Sequence, residues 1–128
     1  MTICIVTNNP GVAEITLPLN WIMDFNDCPA QHSLRHARDL LLNGWQLAAD
    51  PLAGYRRRFN PYHTVFLIEN KGQVNGDDIL RLERAARHIE SSKRPIAENT
   101  KKIRNDYRLL DLSLSLSTLK QISGYCRD

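Results

Sequence analysis

Residues 45–69 read WQLAADPLAGYRRRFNPYHTVFLIE, and the way this stretch divides decides the architecture. Apolar, β-branched and aromatic runs at its two ends, Trp45–Ala49 and His63–Glu69, read as strands. Between them lie Pro51, Gly54, Pro61 and three consecutive arginines, with no apolar periodicity. No helix therefore joins the two strands. Parallel neighbours need a crossover, usually helical, so these strands can pair antiparallel across a long loop.

Working outward, Thr2–Thr7 (TICIVT) is a short β-branched run closed by Asn8-Asn9-Pro10-Gly11, and it reads as a buried strand. Val12–Leu19 stays open between a helical turn and extended chain, since Pro18 ends any helix there. Trp21–Phe25 reads as a further strand. Asp27 suits a helix N-cap with Pro29 near the first helical position, and a helix then runs to Asn43. Its Leu34, Ala37, Leu40 and Leu41 fall at helical spacing, and Gly44 supplies a left-handed stop. After a loop at 70–76, Asp77 and Asp78 favour the positive end of a second helix, where Ile79, Leu82, Ala86 and Ile89 form one stripe.

Pro95 breaks the chain, and a last segment begins near Ala97. Asp111–Ser117 (DLSLSLS) alternates like a strand, but the segment runs too long without a turn signal to be one. As a helix it carries Leu109, Leu112, Leu116 and Leu119 on one side and Ile103, Tyr107, Leu110 and Leu114 on a second. Two stripes suit a helix packed on its own domain and on a partner, so a homodimer through the first stripe is expected. The expected fold is a single small α/β domain. A mixed sheet of about four strands is flanked by helices, with an α/β core over 1–94 and a helical extension over 95–128 packed on it.

At 128 residues, with 42% hydrophobic and 24% charged residues, the chain is one ordinary globular domain. No apolar run reaches the length of a membrane span, and the N-terminus lacks the basic and apolar regions of a signal peptide. Three cysteines without metal-ligand spacing support neither a disulfide framework nor a zinc site. The expectation is a soluble, reduced, cytoplasmic protein without a cofactor or a metal. The net charge of +3 is gathered at Arg56–Arg58 and at Lys93–Arg104. Only the first cluster has aromatic neighbours in sequence, and no nucleic-acid-binding motif is present, so nucleic acid is set aside as a partner.

If the first and third strands run parallel, the loops that follow them leave the same sheet edge, and an antiparallel fourth strand returns there. Ligands bind at the carboxyl ends of strands in open α/β sheets. The candidate site is therefore Thr7, Asn8, Asn9 and Gly11 with Asp50, Gly54, Arg56, Arg58, Asn60, Tyr62, His63 and Thr64. Arginine forks there would suit a carboxylate or phosphate. The opposing reading stays open: Asn-Asn-Pro-Gly is a turn, and the arginines are a solvated patch. His63 has the chemistry of a general acid or base but no nucleophile beside it in sequence, and no catalytic residue is assigned. His32 and His36 stand four apart without a third ligand in register, and Cys28 has no resolving partner.

Thr7-Asn8-Asn9-Pro10, Asp50-Pro51-Leu52-Ala53-Gly54 and Asn60-Pro61-Tyr62, in this order around an amphipathic helix closed by GWQL, resemble the GrdX family over roughly residues 1–92. The triple arginine and the segment after Pro95 lie outside that resemblance. It implies a cytoplasmic accessory protein, encoded beside components of glycine, sarcosine and betaine reductases, and carries no catalytic residues over. The expected function is thus a non-enzymatic accessory or regulatory role in an amino-acid reductase system. It would act through a protein partner or a small anion bound at the loops 7–11 and 50–64. The alternative is a small enzyme for a phosphorylated or carboxylated metabolite, with His63 as acid/base.

Overall fold

A computed structural model describes residues 2–51, 60–92 and 101–125. The elements are β1 (Ile3–Thr7), α1 (Pro10–Ala13), β2 (Ile22–Phe25), α2 (Ala30–Leu41), β3 (Trp45–Leu47), β4 (Thr64–Glu69), α3 (Gly76–Ser92) and α4 (Lys101–Tyr125). The ambiguous stretch after β1 thus opens with one helical turn. Asn9 caps it through a hydrogen bond from Gly11 N to Asn9 Oδ1, and Pro10 takes the first helical position.

The sheet order is β2-β1-β4-β3, with β1 parallel to β2 and antiparallel to β4, and β3 antiparallel to β4. Both β1 and β3 oppose β4, so they run in the same direction. Their carboxyl ends and the start of β4 share one sheet edge, the geometry expected for the two loops. β1 is buried along its whole length, as a strand covered on both faces must be, which explains its unbroken apolar run.

Side-chain alternation along β1 and β4 divides the core. Cys4, Val6, Val65 and Leu67 face α2 and α3, where Leu34, Ala37 and Leu41 meet Leu82, Ala86 and Ile89. Ile3, Ile5 and Phe66 face α1 and α4, meeting Val12, Leu112, Leu119 and Ile122. The domain is a three-layer sandwich. Each fully buried aliphatic side chain contributes about 1.5–3 kcal/mol by leaving water.

Boundaries of α2 and β3 differ from the sequence expectation. Helix α2 begins at Ala30 with Pro29 as the cap residue, so Asp27 does not cap it; the cap position makes no side-chain hydrogen bond. β3 ends at Leu47, although Ala48 N still donates to Phe66 O. The described part of α4 starts at Lys101, and the expected start near Ala97 lies outside the described residues. Gly44 does take the left-handed conformation, at φ 93°, and a Cβ there would lie 2.6 Å from Gly72 Cα. Asn70 N donates to Gly44 O at 2.8 Å, so the turn before β3 and the turn after β4 lock together.

Asp77 and Asp78 stand in the first turn of α3 as expected, and Asp78 does more. Its Oδ2 accepts from Leu47 N at 2.9 Å, covering an amide of the edge strand β3 that would otherwise be open to pairing.

The stripe proposed for dimerisation is divided by the fold. Leu112 and Leu119 pack onto the protein's own sheet, whereas Leu109 and Leu116 are exposed, as are Leu110 and Leu114 of the second stripe. The inward face of α4 instead combines Asp111, Leu112, Ser115, Leu119 and Ile122. Among the described residues, no helix is long and apolar enough to cross a membrane.

Candidate functional site

Those of the sequence-predicted residues that the structure describes gather at the carboxyl edge of the sheet, where most of them bond to one another. Thr7 ends β1 and lies opposite Thr64, the first residue of β4. Thr64 Oγ1 donates to Asp111 Oδ2 at 2.9 Å, because a carboxylate only accepts. Thr7 Oγ1 stands 2.8 Å from Thr64 Oγ1 and is therefore the donor in that pair. Thr7 Oγ1 in turn accepts from Asn9 N at 3.0 Å. Asn9 Nδ2 closes the ring by donating to Asp111 Oδ2 at 2.9 Å.

The three asparagines act as two-ended clamps, each using both its donor and its acceptor, as a carboxamide can and a carboxylate cannot. Asn8 Oδ1 accepts from His63 N at 2.8 Å, and its Nδ2 donates to Cys28 O at 2.9 Å and Pro61 O at 2.8 Å. Asn9 Oδ1 accepts from Gly11 N, and its Nδ2 also donates to Arg108 O at 2.9 Å. Asn60 Oδ1 accepts from Tyr62 N, and its Nδ2 donates to Tyr107 O, both at 2.9 Å. Asn8, Asn9 and Asn60 are at most 5% exposed, so these bonds operate without competition from water. A Cβ on Gly11 would stand in tight contact with Asn9 Oδ1 at 3.3 Å and in ordinary van der Waals contact with Leu112 Cδ2 at 3.6 Å.

His63 belongs to the same interior. It is 4% exposed, and its Nε2 faces the carbonyl oxygen of Pro51. A carbonyl only accepts, so Nε2 carries the proton and donates it. Burial holds the imidazole below the ordinary histidine range, against the opposing pull of Asp111 and of the Pro51 carbonyl. His63 and Asn60 thus secure the two ends of the segment 52–59. Gly54, Arg56 and Arg58 lie outside the described residues. Of the remaining predicted residues, Asp50 is exposed, while Gly11, Tyr62 and Thr64 are half-buried.

Other sequence candidates resolve separately. His36 Nε2 pairs with Asp24 Oδ2 at 2.6 Å, whereas His32 is exposed. No group of three or more metal-ligating side chains occurs among the described residues. Burial and neighbouring Asp27 raise the Cys28 thiol above its ordinary range, opposite to the shift a reactive thiolate needs. Burial, with Asp24 adding to it, pushes Cys4 up to about 11.

A cleft of about 570 Å³ opens beside this network, lined by Tyr62, Lys101, Lys102, Arg104, Asn105 and Arg108. Sequence reasoning placed only Tyr62 in the site. It set the second basic cluster aside for want of an aromatic neighbour, and the fold supplies that neighbour from the NPYHT loop. Asp111 was also missed. Its signal was a single carboxylate interrupting a leucine-rich helix, four residues before the buried Ser115.

The fold and site define a small α/β/α sandwich whose loops are clasped by a buried polar network, with a basic cleft opening beside it. The chain belongs to the GrdX family: the family model described as GrdX-like protein matches residues 4–120. The match runs well past residue 92, so α4 is part of the family pattern rather than an appendage to it. No curated protein and no solved structure matches the chain.

Proposed function

We propose that the protein is a non-enzymatic accessory or regulatory component of a glycine-type amino-acid reductase system, working in the cytoplasm through a protein partner. Membership of the GrdX family supports the association. The observation that carries the non-enzymatic part is the state of His63. An acid/base residue must come within about 2.6–3.2 Å of the substrate proton. His63 is 4% exposed and its Nε2 hydrogen is engaged by Pro51 O, while Thr7, Asn8, Asn9, Asn60 and Thr64 bond within the same network. These residues hold the loops in shape and do not form the lining of the neighbouring cleft. The alternative of a small enzyme with His63 as acid/base would require that network to open.

The test is to tag the protein in a host that ferments glycine and identify what copurifies with it. Recovery of a reductase component above a tag-only control, with glycine-dependent growth impaired by deletion and restored by the His63→Gln variant, is the expected result. No copurifying reductase component and unimpaired growth of the deletion strain would overturn the proposal.

A further inference from the structure

We infer that the cleft between Tyr62 and the Lys101–Arg108 segment of α4 binds a small, multiply charged anion of the phosphorylated-metabolite class. Among the described residues, its lining holds four cationic side chains, one carboxamide and one aromatic ring, and no carboxylate. Its volume of about 570 Å³ lies within the roughly 300–1,000 Å³ typical of small-molecule sites.

Three of the cations in this cleft differ from comparable charges elsewhere, which are paired. Arg35 pairs with Glu90 and Arg38 with Glu83 on the opposite side of the domain. Among the described residues, Lys101, Lys102 and Arg108 have no carboxylate partner. The side chain of Arg108 is held by donating from Nη2 to Asn105 Oδ1, a neutral acceptor that leaves its charge unbalanced. Lys101, Lys102 and Arg108 in one concavity match a ligand carrying more than one anionic group, since a single monoanion would balance only one of the three.

The cleft is also held in shape. Its two walls belong to segments far apart in sequence, and the buried Asn60 bolts them together: Oδ1 fixes Tyr62 N and Nδ2 grips Tyr107 O on α4. A site whose walls are set before the ligand arrives loses less freedom on binding. Asn60 is a positioning residue here, and the ligand contacts come from the cations and Tyr62. This assignment stands apart from the reductase association, because it concerns what the cleft recognises and not which protein the chain meets.

The experiment is calorimetric titration of the full chain with pyrophosphate, with ATP and with a short single-stranded oligonucleotide, each at low and at physiological salt. One site for pyrophosphate or ATP is expected. Lys101→Glu/Lys102→Glu should weaken it at least about tenfold, the loss of one charge-assisted contact. Tyr62→Phe should retain binding. Should the charge-reversed variant lose its thermal transition, Lys101→Ala/Lys102→Ala provides the same comparison, with reduced binding again expected. The inference is overturned by no binding of either phosphate compound at millimolar concentration, or by undiminished binding in a folded lysine variant. Tighter binding of the oligonucleotide than of either small anion would also overturn it.

Discussion

Asn9 Nδ2 and Asp111 Oδ2, separated by 102 positions in sequence, stand 2.9 Å apart and join the loop after β1 to the middle of α4. The same carboxylate oxygen accepts the Thr64 hydroxyl at 2.9 Å, so one side chain holds the helix to two strand ends. Asp111 is 6% exposed, so these contacts are made inside the protein.

Asp111→Ala should therefore destabilise the domain by about 2–4 kcal/mol, through two stranded donors and the loss of hydrogen bonds to a charged acceptor. Asp111→Asn keeps an acceptor oxygen of the same shape and should cost distinctly less. Urea unfolding monitored by circular dichroism measures both. Equal losses for Ala and Asn would show that the side chain's acceptor role is not what stabilises the helix.

The buried imidazole of His63 gives the stability a definite pH dependence. Its folded-state pKa lies below the 6.5 of a free histidine, so the unfolded chain takes up the proton first. The contribution is complete above about pH 6.5 and is lost as the pH falls below it, with a slope of at most about 1.4 kcal/mol per pH unit. His63→Gln should flatten this loss between about pH 7 and about pH 5. Thermal melts across that range check the sign; greater stability on acidification would contradict it.

Helix α4 makes a graded prediction about its leucines. Leu112 packs against the sheet face of Ile5 and Phe66, whereas Leu116 is 46% exposed. Leu112→Lys should cost about 3 kcal/mol or more, by losing buried apolar area and burying a charge. Leu116→Lys should stay within roughly 0.5 kcal/mol of the parent, as surface substitutions do. Light scattering on the folded Leu116→Lys protein additionally reads whether the exposed leucines hold two copies together, a drop in mass being the sign that they do.

How much of this was legible before the structure depends on the range of the interactions. The strands, the helices and the mixed sheet follow from local patterns: the β-branched run of β1, the three-and-four spacing of α3 and the loop without a helix between β3 and β4. The meeting of the TNNP and NPYHT loops followed from strand direction alone. Their chemistry did not, because asparagines at a strand end look the same whether they face a ligand or each other. What decides is the arrival of Asp111 and the carbonyls of Tyr107 and Arg108 from a helix far along the chain. The alternating DLSLSLS concealed the true inward face of α4, since its leucines point both ways and a carboxylate and a serine share the buried side. The basic cleft was illegible for the same reason. Tyr62 and Lys102 are neighbours only in space.

The central claim is that His63 and the asparagines around it are parts of the framework, with no acid/base duty. The most direct measurement is the imidazole nitrogen and proton spectrum of His63 followed by NMR from about pH 8 to about pH 5.5. The account predicts a neutral ring protonated at Nε2, a slowly exchanging Nε2 proton, and no titration near the ordinary value of 6.5. A full titration centred near 6.5, with rapid solvent exchange of that proton, would place His63 in contact with solvent and contradict the account.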